Sequence, residues 1–301
     1  MFDGIKNHYR AQRQRFRENV CAPIVFKAMD IIGFQRHLPY TRTGDDSQLL
    51  IRDLLLRDAP CMIGRIGCTE IRNIEGVLHK NGTPLQKLKW LLTLHQTGPS
   101  KKLQNAWRST EKNPDDAFFE RFARMMLDDM KQLDVFASWR WEEFGVFEAP
   151  YPFEVISLGD LEPFWSPTPW TAALKGKKVL VVQPFVADIE HQYRKREKLF
   201  RDPDVLPEFD LQTYMPFFAG LRDDPGLDWF GRLERMKREI SALDFEIALI
   251  AAGAYGFPLA AHVKRLGRKA VLTGGILQLL FGIKGARWDA IEAYRKLYNE
   301  F

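Results

Sequence analysis

The chain has 301 residues, 46% of them hydrophobic, enough for one large core or two smaller ones around a shared cleft. Of its formal net charge of +5, residues 1–36 hold +4, so the remaining body lacks the basic stripe that nucleic-acid backbone binding requires. Cys21, Cys61 and Cys68 show no CxxC spacing, which argues against a disulfide framework or a structural zinc site, and no HExxH or GxSxG motif is present.

The first segment joins a basic stretch, Lys6–Arg17, to an apolar one, Pro23–Phe34. It is either an amphipathic arm for an anionic membrane surface or a helix packed on the body with its arginines solvated. A helix capped by Asp46 or Ser47 is expected to run to about Arg57, with Leu49, Leu50, Leu54 and Leu55 at helical spacing. A buried strand, Cys61–Ile66, turns at Gly67 into a second helix, Thr69–Lys80, closed by Asn81-Gly82. From Pro84 to about Leu133 the pattern is helical: Leu88, Leu91 and Leu92, then Phe118, Phe122, Met125 and Met126, form apolar stripes expected in the core. Short strands and a connection bearing Trp139, Trp141, Trp165 and Trp170 occupy Val135–Pro169. Indoles stack well on sugar faces, but core packing is their default role.

The second half alternates regularly. Strands are expected at Lys178–Gln183, Leu211–Tyr214, Glu246–Ala252 and Lys269–Thr273, with helices at Phe185–Phe200, Leu227–Leu243, Phe257–Leu266 and a terminal helix. This order predicts an α/β protein with a mainly parallel sheet covered on both faces, whose ligands collect at the carboxyl ends of the strands. The domain division is an arm at 1–45 and one body at 46–301, with a helical insertion at about 84–133. No apolar run approaches the length of a membrane span and no signal peptide opens the chain, so a soluble, unprocessed, cytoplasmic protein is expected, with peripheral contact at the membrane's inner face through residues 1–36 as a further option.

Four predicted strands end in turn residues suited to a close-approaching ligand: Gly67, Pro184, Gly253 with Gly256, and Gly274-Gly275. Glycine lets backbone amides approach a diphosphate, or simply makes a tight exit from a strand. GxGxxG after the first strand and the Walker lysine are both missing, which disfavours a Rossmann dehydrogenase and leaves nucleotide-sugar chemistry open. Arg65 can fork onto phosphate oxygens and Glu70 can hold a cation or a sugar hydroxyl; alternatively the two form an ion pair beside a helix capped by Thr69. Gln192 and Arg196, four apart on the expected helix, can reach one ligand or belong to a surface charge network. Tyr255 can stack on a base or sugar ring. Lys284 and Arg287 can clamp phosphate or end a solvated basic helix.

These segments resemble bacterial glycosyltransferases of the GT-D fold. The likeness lies in Arg65, Gly67 and Glu70 of an Arg-x-Gly-x-x-Glu signature, in Pro169-Trp170 and Leu174–Val182, and in Pro184-Phe185 with Gln192 and Arg196. It continues in Gly253-Ala254-Tyr255-Gly256 and in the Gly274–Trp288 block containing Gln278 and Phe281. It spans about residues 60–290 and implies a Rossmann-like domain that binds a nucleotide diphosphate sugar, often with Mn²⁺ or Mg²⁺, and passes the sugar to a glycan or glycoconjugate acceptor of the cell surface. Glu70 and Arg65 would be the catalytic pair. Gly67, Thr69, Pro184, Phe185, Gln192, Arg196, Gly253, Tyr255, Gly256, Gly274, Gly275, Gln278, Lys284 and Arg287 would hold the donor. The chain departs from the family's Asp-x-Glu metal motif at Cys68, a soft thiol in place of an oxygen ligand. A literal Asp-x-Glu occurs instead at Asp160–Glu162, as displaced ligands or as ordinary loop acids. The alternative to an enzyme is a non-catalytic nucleotide-sugar binding module or a membrane-recruited subunit of a glycan assembly complex.

Overall fold

The computed structural model describes residues 37–80, 82, 114–218 and 220–299, so the basic arm, the Leu88–Leu92 stripe and Asn81 lie outside the described residues. In chain order the described elements are α1 (Asp45–Leu56), β1 (Cys61–Gly64), α2 (Cys68–Lys80), α3 (Asp116–Asp129), β2 (Val135–Ser138) and β3 (Glu154–Ser157). Then follow β4 (Lys178–Val182), α4 (Val186–Tyr193), β5 (Asp210–Tyr214), α5 (Trp229–Ser241), β6 (Ile247–Ile250), α6 (Gly256–Arg265) and β7 (Lys269–Leu272). The chain continues through α7 (Leu277–Leu280), α8 (Ala286–Asp289) and α9 (Glu292–Asn299). Residues 37–44 already belong to the body: Leu38 is fully buried, and its N–H donates to Ser138 Oγ at 2.8 Å.

The strands form one seven-stranded sheet in the order β3-β2-β1-β7-β6-β4-β5, with every pair parallel. This is the parallel α/β architecture that the alternation predicts, and it is Rossmann-like, as the resemblance implied. The pleat sends alternate residues to two cores. Met62, Phe136, Leu180, Val182, Ala248, Ile250 and Leu272 meet α2, α3, α5 and α6 on one face. Ile63, Val135, Val179, Val181, Leu249 and Val271 meet α1, α4 and α7 on the other. Helices leaving β1 and β6 therefore cover one face, and helices leaving β7 and β4 cover the other. In the order β1-β7-β6-β4 every neighbouring pair diverges after its carboxyl end, which opens a crevice along four strands.

Three local expectations are corrected. α1 has Gly44 at its N-cap with no side-chain cap, because the Ser47 hydroxyl donates to Asp160 Oδ2 at 2.7 Å instead. Its buried face is Ser47, Gln48, Ile51 and Leu55, with Leu49 exposed; Gln48 is tolerated inside because it accepts from the Trp170 N–H at 3.0 Å and donates to the Asp160 carbonyl at 2.7 Å. The helix expected at Phe185–Phe200 ends at Tyr193 and gives way to a 3₁₀ turn at Arg196–Lys198. Continued α-helix would carry Leu199 about 120° around from Tyr193; the break lets both be buried in the same core. The terminal helix is likewise three separate pieces, α7, α8 and α9.

Candidate functional site

The four strand-end turns meet around one cavity of about 410 Å³ at the carboxyl edge of the sheet. From β1 come Arg65 to Glu70. α2 starts here, with the Ile71 N–H donating to the Gly67 carbonyl at 3.0 Å. The Glu70 carboxyl folds back over Gly67, so that a Cβ on Gly67 would lie 2.8 Å from Glu70 Cδ. Burial pushes this carboxyl above the usual range, against the opposing pull of its own backbone N–H and of Arg65. Burial also lowers the Arg65 guanidinium; Glu70 opposes that shift and the nearby charge of Arg287 adds to it.

β7 supplies Gly274 and Gly275. Gly274 has φ +68°, and a Cβ there would lie 2.8 Å from Arg65 Cζ, so the turn doubles as the wall against which the guanidinium rests. A Cβ on Gly275 would lie 3.1 Å from Trp288 Cη2, and one on Gly285 3.1 Å from Trp288 Cε3. Trp288 thus fits between two glycines and pins α8 on the turn. Gln278 Nε2 donates to the Ile283 and Lys284 carbonyls, both at 3.1 Å, holding the bend that returns the chain to the cavity. Arg287 then lines the cavity, its guanidinium 5.5 Å from the Trp288 ring centroid.

β6 contributes Ala251 to Ala254, including Gly253 at φ +54°. β4 contributes Gln183, Pro184 and Phe185, with the Phe185 N–H donating to Gln183 Oε1 at 2.5 Å. Phe185 is 36% exposed, and Phe218, from the turn after β5, is 43% exposed at the same cavity.

Of the residues singled out by sequence, Arg65, Gly67, Thr69, Glu70, Pro184, Phe185, Gly253, Gly274, Gly275, Gln278 and Arg287 line the cavity, as does Cys68. The others do not. Tyr255 is 2% exposed and stacks on Trp229, with ring centroids 4.6 Å apart and planes 9° from parallel, so it is a core residue and not a ligand platform. Gly256 serves packing: a Cβ would lie 2.7 Å from Leu272 Cδ1. Gln192 and Arg196 are separated by the end of α4. Gln192 packs beside Gly282, and Arg196 pairs with Glu208 at 3.2 Å and lies over the Tyr193 ring. Lys284 is away from the cavity wall and contributes its carbonyl to Gln278.

Sequence reasoning missed what β2 brings. Trp139 lines the cavity and donates its indole N–H to the Ile66 carbonyl at 3.1 Å, with the Arg140 guanidinium 5.2 Å from its ring. Behind it Glu142, fully buried, accepts from Arg72 at 2.9 Å and from Arg140 at 2.9 and 2.5 Å. Glu143, also fully buried, accepts from the Ser138 hydroxyl and the Trp139 and Arg140 N–H groups. The one signal in the sequence is a glutamate three residues after Arg140, the spacing of a capping box. Trp165 and Trp170 lie elsewhere, one half-exposed beside Tyr294 and the other fully buried.

Burial raises Glu143 from 4.5 to about 7 despite its three donors. A carboxyl raised in this way contributes stability that is complete below pH 4.5 and is lost as the pH rises through about 7. The loss should reach roughly 3 kcal/mol. The expected result is a melting temperature that falls across this interval in the wild type, and a visibly flatter profile in Glu143→Gln; parallel profiles would show that Glu143 is ionised throughout.

A divalent cation does not fit the donors that the described residues bring to the cavity. Among the described residues no group of three His, Cys, Asp or Glu side chains could hold a metal ion. Glu70 is turned onto Gly67 beside Arg65, and its neighbour in the motif is Cys68. The literal Asp160–Glu162 is bound up away from the cavity, where Asp160 accepts from Ser47 and Glu162 from Trp165 at 2.7 Å and Tyr294 at 2.8 Å. No helix among the described residues is long and apolar enough to cross a membrane. No family model matches the chain, and neither a curated protein nor a solved structure matches it.

Proposed function

We propose that the chain is a glycosyltransferase that moves a sugar from a nucleoside diphosphate sugar to a glycan or glycoconjugate acceptor, in the making of cell-surface polysaccharide or glycoprotein. The observation that carries this reading is the meeting of Arg65, Arg287 and Glu70 in a cavity at the divergence of β1 and β7. Two guanidinium groups suit a leaving diphosphate, whose developing charge must be neutralised in the transition state. Glu70 orients a hydroxyl of the sugar or of the acceptor. The exposed faces of Phe185 and Phe218 suit the apolar side of an acceptor sugar ring. In this reading the chain works on the cytoplasmic side, with the basic residues 1–36 against the inner membrane surface.

A binding module without transfer is the second reading, favoured by Cys68 and by the carboxyl of Glu70, which is folded back over Gly67. A thermal-shift screen of nucleoside diphosphates and their sugars tests the first point common to both. A ligand at a hundred times its Kd stabilises by about 2.7 kcal/mol, a shift of several degrees. Turnover of the stabilising donor in the presence of glycan acceptors then separates enzyme from module. A folded protein that responds to no donor would overturn both and leave a recruited interaction subunit.

A further inference from the structure

We propose that this site takes its diphosphate without a divalent cation, the charge of one such ion being supplied by Arg65 and Arg287 together. The inference rests on the nucleoside diphosphate reading above and goes further, because the family the sequence resembles often uses Mn²⁺ or Mg²⁺ at this place.

Three observations converge. The first is the donor set, in which the acid expected before Glu70 is Cys68, and hard cations bind thiols poorly. The second is the direction of Glu70. Its carboxyl lies on Gly67 and the charge acting on it is Arg65, so an ion bound there would face a guanidinium group. The third is that Arg65, and the segment that carries Arg287, are both held in place. Arg65 rests against Gly274, where no side chain is accommodated, and Arg287 is carried by a segment that Trp288 locks between Gly275 and Gly285.

Two like charges that line one cavity repel each other: burial is the main cause of the lowered Arg65 guanidinium, and Arg287 adds to it against the pull of Glu70. A bridging polyanion removes that repulsion, and a diphosphate presents oxygens to two forks at once. Each arginine comes from a different end of the chain, one after β1 and one on α8, so the pair closes around the ligand much as a bridging metal would. Gly274 leaves the Arg65 guanidinium its place, and Gly275 and Gly285 leave Trp288 its place beside Arg287, before a ligand arrives.

Calorimetric titration of the full chain decides the matter, with inorganic pyrophosphate and the uridine, guanosine, cytidine, adenosine and thymidine diphosphates as probes, each in EDTA and in Mn²⁺. The expected result is at least one nucleoside diphosphate binding equally in both, within about twofold. Arg287→Gln should weaken it about tenfold to a hundredfold, and Arg287→Lys should recover part of that loss. Arg287 is exposed, so these variants leave the core intact. In parallel, the protein should leave the paramagnetic resonance signal of free Mn²⁺ undiminished. Binding that appears only with Mn²⁺, loss of the Mn²⁺ signal on adding protein, or unchanged affinity in Arg287→Gln would each overturn the proposal and leave the nucleotide reading standing. Absence of binding by every probe in both conditions would overturn the nucleotide reading and this proposal with it.

Discussion

Replacing Gly274 by valine is expected to abolish nucleoside diphosphate binding and to destabilise the protein by roughly 2–4 kcal/mol. Two causes add. The backbone sits at φ +68°, where a β-branched residue is strained, and the new Cβ would lie 2.8 Å from Arg65 Cζ, so the guanidinium must leave its place. Gly176→Val separates them, since Gly176 has φ +72°, a Cβ added there would meet nothing within 4 Å, and the residue lies at the opposite end of β4. Urea melts of the two variants should show losses of the same order, with only Gly274→Val losing ligand. Equal binding by both would remove Arg65 from the diphosphate site.

The second large effect is expected at Glu70. Glu70→Gln keeps the shape of the side chain and removes the carboxyl group that orients the hydroxyl. Transfer should fall by about a thousandfold or more, while nucleoside diphosphate affinity changes by no more than a few-fold. Stability should be unchanged or slightly higher, because burial already disfavours the charged carboxylate. Rate measurements beside melting curves would check both halves. Wild-type turnover in this variant would take Glu70 out of the mechanism and strengthen the case for Arg65 and Arg287 acting alone.

β1, β4, β6 and β7 are legible in the sequence because each is a short apolar run bounded by Gly, Pro or charge, and their ends can be read to within a few residues. Strand order is not, because β7 pairs with β1 through contacts about 200 residues apart that leave no local mark. At the site, the convergence of four turns follows from parallel strands sharing one edge. Individual side chains follow less well. Tyr255 sits between two strand-end glycines, a position that looks exposed, yet Trp229 draws its ring inward. Gln192 and Arg196 share a face only on a continuous helix, which burial of Leu199 interrupts. Trp139 and Glu143 escape notice because a tryptophan beside mixed charges reads as ordinary core and surface until β2 is placed next to β1.

The position of β7 has a consequence for how the molecule comes into being. Without it, the sheet is two three-stranded fragments, β3-β2-β1 and β6-β4-β5, each with an open edge of unpaired backbone groups. On a ribosome, about 200 residues beyond β1 must emerge before Lys269–Leu272 can join them. Assembly must therefore wait for a late, highly non-local pairing, which makes slow folding and edge-to-edge association of nascent chains the characteristic hazards of this topology. Arg65 emerges early and stays without its Gly274 wall and its Arg287 counterpart until that pairing, so ligand binding doubles as a report that β7 has joined the sheet.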